Sequence, residues 1–91
     1  MGDASTRASK IDFGAAAVLL KWPSLGNQRR PDRTSYQVIE GTLDQCISAF
    51  MGKPAATRHL YEIRATPQPP LVTAILSPEH IAELSRLREF L

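Results

Sequence analysis

LVTAIL, residues 71–76, is apolar on both sides of an extended chain: Leu71, Thr73 and Ile75 point one way, Val72, Ala74 and Leu76 the other. A half-exposed strand would alternate apolar with polar residues, so this run predicts a strand inside a sheet, with neighbours on both edges. Before it, TPQPP (66–70) is stiff and poor in backbone donors, which predicts a connection outside the ladder. After it, Ser77 as N-cap and Pro78 at the first helical position start a helix. At roughly 100° per residue, Ile81, Leu84, Leu87 and Leu91 share one stripe of that helix, and His80 falls among them. His80 is therefore expected as a buried, hydrogen-bonded structural residue, whereas Phe90 lies off the stripe.

Further upstream, HLYEIRA (59–65) sets His59, Tyr61, Ile63 and Ala65 on one side and Leu60, Glu62 and Arg64 on the other, the pattern of a half-buried strand. Thr42 and Gln45 form a T-x-x-Q capping box. From there Leu43, Cys46, Ile47, Phe50 and Met51 recur at helical spacing, and Gly52 is placed to end the helix in a left-handed conformation. SYQVIEG (35–41), rich in β-formers, predicts a strand immediately before it.

The order is thus β-α-β-β-α. Putting LVTAIL between the other two strands, antiparallel to both, satisfies its two apolar sides. The expected fold is α+β: a three-stranded sheet in the order 1-3-2, third strand central, with both helices on one face and a right-handed crossover. The second face would then be bare.

Residues 1–33 are expected to be a basic, flexible leader and linker, and residues 34–91 the folded domain. The first part carries six basic side chains against three acidic, the second five against six. WPSLGNQRRPDRT (22–34) combines prolines, a glycine and arginines in the manner of a linker. The apolar run FGAAAVLL (13–20) defines no helical face and is far shorter than the roughly 20 residues that cross a bilayer. Lys21 and Trp22 end it without a small-x-small cleavage site, which speaks against export, and the match of Met1-Gly2-…-Thr6 to a myristoylation pattern is too short to carry weight. No membrane association is expected. A single cysteine excludes an internal disulfide and fits a reducing, cytoplasmic setting.

With 43% hydrophobic and 22% charged residues the composition is that of a folded chain. Three functional readings follow. The leading one is a non-enzymatic interaction module, homodimeric through the open sheet face with Val72, Ala74 and Leu76 as contact residues, or acting by strand addition at an edge. A chain this short buries a modest core, and a second copy would cover the bare face. The alternative is weak, sequence-independent nucleic-acid binding through an arm carrying Arg29, Arg30 and Arg33, with Trp22 stacking on a base. The last is an enzyme pairing Cys46 with His59 or His80. The chain holds no G-x-G-x-x-G, P-loop, G-x-S-x-G or H-E-x-x-H sequence, and one cysteine with two histidines lacks zinc-ligand spacing, so neither cofactor nor metal is expected.

Overall fold

The structure, a computed structural model, describes residues 11–69, 71 and 73–90. Its strands are β1 (Ala16–Lys21), β2 (Ser24–Leu25), β3 (Gln28–Arg29), β4 (Tyr36–Thr42), β5 (Tyr61–Ala65) and β6 (Ile75–Leu76). Its α-helices are α1 (Leu43–Met51) and α2 (Pro78–Glu89), and a 3-10 helix (Ala55–Leu60) leads into β5. The α+β class with one main sheet and two helices is as expected. The sheet differs in size and order: it has four strands, β4-β1-β5-β6.

The split β-α-β survives, because β4 and β5 flank an antiparallel strand and are joined through α1. The inserted strand is not LVTAIL. It is Ala16–Lys21, from the segment assigned to the leader, pairing with β4 on one side and β5 on the other. Of the described residues of LVTAIL, only the two of β6 join the ladder, at the edge beyond β5. Both runs pass the same test, apolar on two faces, and the test cannot rank them. In β1 every residue finds a ladder partner on both sides or on one, whereas Leu71 and Thr73 stay outside the ladder and the Ala74 carbonyl accepts only from Ala65 N–H, 2.8 Å. Residues 22–34 likewise are not a plain linker. They hold the β2–β3 hairpin, whose turn residues Gly26 and Asn27 both have φ of 61°, as a type I′ turn requires.

One face of the sheet is the core side. Along paired positions, Leu19 lies between Ile39 and Ile63, and Ile63 pairs onward with Leu76. These side chains join Leu43, Cys46, Ile47 and Phe50 of α1 and Ile81 and Leu84 of α2 in one cluster, so both helices cover the same face. Phe50 meets Tyr61 edge to face, ring centres 6.4 Å apart.

The helix ends follow the sequence closely at their starts. Thr42 Oγ1 accepts from Gln45 N–H at 3.1 Å, and Gln45 Oε1 accepts from Thr42 N–H at 2.9 Å. A Cβ at residue 41 would meet that carboxamide and displace it from the cap. Ser77 caps α2, with Pro78 in its first turn. The C-terminal end of α1 corrects an expectation: Gly52 has φ of −79°, not left-handed. The Arg58 guanidinium donates instead to the carbonyls of Met51 (2.8 Å) and Lys53 (3.1 Å), so a side chain from the following 3-10 helix serves the last turn.

Candidate functional site

The second face of the sheet is not the apolar strip that a central LVTAIL implied. Its paired positions run Glu40–Val18–Arg64–Ile75 and Gln37–Leu20–Glu62, mixing charge with apolar carbon. Glu62, 7% exposed, is held by the Trp22 indole N–H (3.4 Å) and by Arg64 Nε (3.1 Å). A carboxylate so far withdrawn from water needs both donors to offset its desolvation.

The three residues expected to contact a partner separate in the fold. Leu76 is buried in the core beneath the helices, Ala74 is half-buried before β6, and Val72 lies outside the described residues. Among the described residues the long edge without a strand partner is elsewhere. β4 presents seven residues at the margin of the sheet, with Tyr36 half exposed at its start and no lysine or proline along it. Its register to β1 shifts between Leu19 and Leu20, leaving Val38 as an unpaired bulge residue.

The residues named for chemistry do not share a site on the described surfaces. Cys46 is fully buried in the middle of the core, and burial pushes its thiol above the ordinary 9.0. His59 sits in the 3-10 helix rather than at the head of β5, exposed and bonded through Nε2 to the Asn27 carbonyl of the hairpin. His80 is exposed, not buried on the α2 stripe. Its ring turns back to the N-cap, Nδ1 lying 3.4 Å from Ser77 N and 3.2 Å from Ser77 Oγ, because a first-turn side chain three residues after the cap can reach the orphan amide. His80, Glu83, Ile11 and Leu71 help line a shallow cleft of about 170 Å³ beside α2. Among the described residues no group of three His, Cys, Asp or Glu could hold a metal ion, and no helix is long and apolar enough to cross a membrane.

The arginines of the expected arm are placed by the hairpin. Arg30 forms a two-point pair with Asp32, 2.8 and 3.2 Å, and Arg33 approaches the same carboxylate at 3.9 Å. Arg29 leaves this group. Its guanidinium lies 5.4 Å from the Trp22 ring centre and donates to the carbonyls of His59 (2.7 Å) and Tyr61 (3.4 Å).

That brings Arg29 to a basic end of the molecule that sequence reading did not reveal. The ammonium groups of Lys21 and Lys53 lie 5.7 and 5.6 Å from the centre of the Tyr61 ring, and the Arg58 guanidinium is 5.9 Å from the Phe50 ring that abuts it. No periodicity links positions 21, 29, 53 and 58. Only the pairing of β1 with β5 and the return of the chain after α1 unite them. No family model, no curated protein and no solved structure matches the chain.

Proposed function

We propose that the protein is a non-enzymatic interaction module that self-associates by antiparallel addition of β4 to β4 of a second copy. The observation that carries this reading is the β4 edge itself. Natural sheet edges are kept short or guarded by lysine or proline. The β6 edge obeys the first device with two residues, whereas β4 runs for seven and has neither guard residue. The Val38 bulge twists the strand locally but leaves Ile39–Thr42 in regular ladder with β1.

A second copy suits this edge because β4 carries a single charge, Glu40. An antiparallel pairing centred near Ile39 sets each Glu40 against Val38 of the other copy, so no like charges face each other directly. The two sheets would then form one continuous sheet, with main-chain hydrogen bonds supplying the affinity.

Light scattering after size exclusion tests this. The expected result is a dimer that Gln37→Lys/Glu40→Lys converts to a folded monomer, while Ile75→Lys, on the second face at the far edge, leaves it dimeric. A monomeric native chain sinks the reading. Loss of the dimer in Ile75→Lys moves the interface to the open face.

A further inference from the structure

The basic end described above is not absorbed by strand addition. Four cationic side chains, from β1 (Lys21), the hairpin (Arg29), the α1 exit (Lys53) and the 3-10 helix (Arg58), lie over three rings, Tyr61, Trp22 and Phe50. All four are tied to Tyr61 or to its neighbour Phe50: Lys21 and Lys53 lie over the Tyr61 ring, Arg29 donates to the Tyr61 carbonyl, and Arg58 lies over the Phe50 ring that abuts it. Among the described residues none of the four forms an ion pair, in contrast to Arg30, Arg33, Arg64, Arg86 and Arg88, each of which has a carboxylate neighbour. The acids nearest to the four in sequence are already engaged: Asp32, three residues from Arg29, with Arg30 and Arg33, and Glu62, four residues from Arg58, with Arg64 and Trp22. The C-terminal end of α1 contributes a partial negative charge of about half a unit, which reduces the field of four cations without cancelling it.

We infer that this basic end binds the sugar-phosphate backbone of nucleic acid, without reading its sequence. The chemistry favours a polyanion over a folded protein partner. Protein interfaces are anchored by apolar side chains inserted in pockets. Here two of the three rings are themselves buried beneath the cations, Phe50 at 1% and Tyr61 at 7% exposure, and the third, Trp22, is covered on one approach by Arg29. What the surface offers is charge: the two guanidinium groups already donate to backbone carbonyls through Nε and one Nη, and the two ammonium groups supply the donors for phosphates. Trp22 has one approach taken by the Arg29 guanidinium, so base stacking is not the source of affinity. The site thus differs in residues and in mechanism from an arginine-rich arm: Arg30 and Arg33, tied to Asp32, stand outside it.

The expected behaviour can be given numbers. With four phosphate contacts, log K against log salt has a slope of about −2.8 on a single strand and about −3.6 on duplex DNA. Fluorescence anisotropy of a labelled oligonucleotide of mixed sequence, single-stranded and as a duplex, titrated with the full chain at several salt concentrations, measures it. Lys21→Gln/Lys53→Gln should weaken binding by about tenfold or more at low salt and bring the single-strand slope to about −1.4. Arg30→Gln/Arg33→Gln removes the same formal charge elsewhere and should change affinity by less than about twofold. Each single lysine variant should fall between, which keeps the test decisive if the double variant does not fold by circular dichroism. Equal losses in the two pairs would reduce the effect to net charge and overturn the assignment. So would absence of binding at low salt, or displacement by polyglutamate as effective as by unlabelled oligonucleotide, which would make an acidic protein the partner.

Discussion

Leu19 offers the sharpest test of the fold, because the sequence places it in a leader and the structure places it at the centre. It is 0% exposed, between Ile39 and Ile63 in the ladder, under the helices. Leu19→Ala removes three carbons from a site that paired strands on both sides prevent from collapsing, which costs about 3 kcal/mol. A domain of this size has about 5 to 10 kcal/mol of total stability, so a third or more would be lost. At about 5 °C per kcal/mol the midpoint should fall by about 15 °C. Leu25→Ala is the matched control: the same deletion in the same N-terminal third, at a side chain 73% exposed on the hairpin, should stay within about 0.5 kcal/mol. Thermal and urea unfolding followed by circular dichroism compares the two. A chain starting at Thr34 takes the argument to its limit, since without β1 the strands β4 and β5 have no ladder between them and should not fold cooperatively. If Leu19→Ala behaves like Leu25→Ala, or the shortened chain melts as a folded domain, the central placement of Ala16–Lys21 is refuted.

Two smaller perturbations probe features that lie closer to the sequence. Thr42→Ala breaks one arm of the capping box and leaves Gln45 N–H without its acceptor, so urea unfolding should show a loss of about 1 kcal/mol, with Thr42→Ser recovering most of it. Cys46 should react slowly with iodoacetamide in the native chain at neutral pH and quickly in urea, since burial raises its thiol above 9.0 and shields it. Fast native alkylation would remove Cys46 from the core. The same raised value means that the folded chain holds this proton more firmly than the unfolded one. Its contribution to stability is therefore complete below about pH 9 and is lost as pH rises through the folded value, and the alkaline decline in urea midpoint should be smaller in Cys46→Ala.

The candidate sites show how unevenly the chain reveals itself. The Thr42–Gln45 box, the Ser77–Pro78 start and the core side formed by Tyr61, Ile63 and Ala65 are all present in the structure where the pattern placed them, although Glu62 on the other side of β5 is buried as well. Each depends on residues one to four apart, which a sequence displays directly. His80 sits on the line between the two regimes. Its position on the helix wheel was legible, but its ring turned to the Ser77 cap and solvent, a choice between a buried stripe and an unsatisfied amide that spacing does not express.

What the sequence determined alone is therefore local: two helices with their starts, two of the three strands expected, and a split β-α-β awaiting an inserted strand. Tertiary structure decided which run filled that gap. Ala16–Lys21 and LVTAIL are both apolar on two sides, and both could have lain between β4 and β5. The choice depends on ladders spanning more than forty residues of chain, from Leu20 to Glu62 and from Ala17 to Ala65, and on a core shared with both helices. The basic end follows from the same decision, since Lys21 reaches the Tyr61 ring only when β1 pairs with β5. Non-local pairing is selected by the total burial and hydrogen bonding of the assembled sheet, a property that no segment carries by itself.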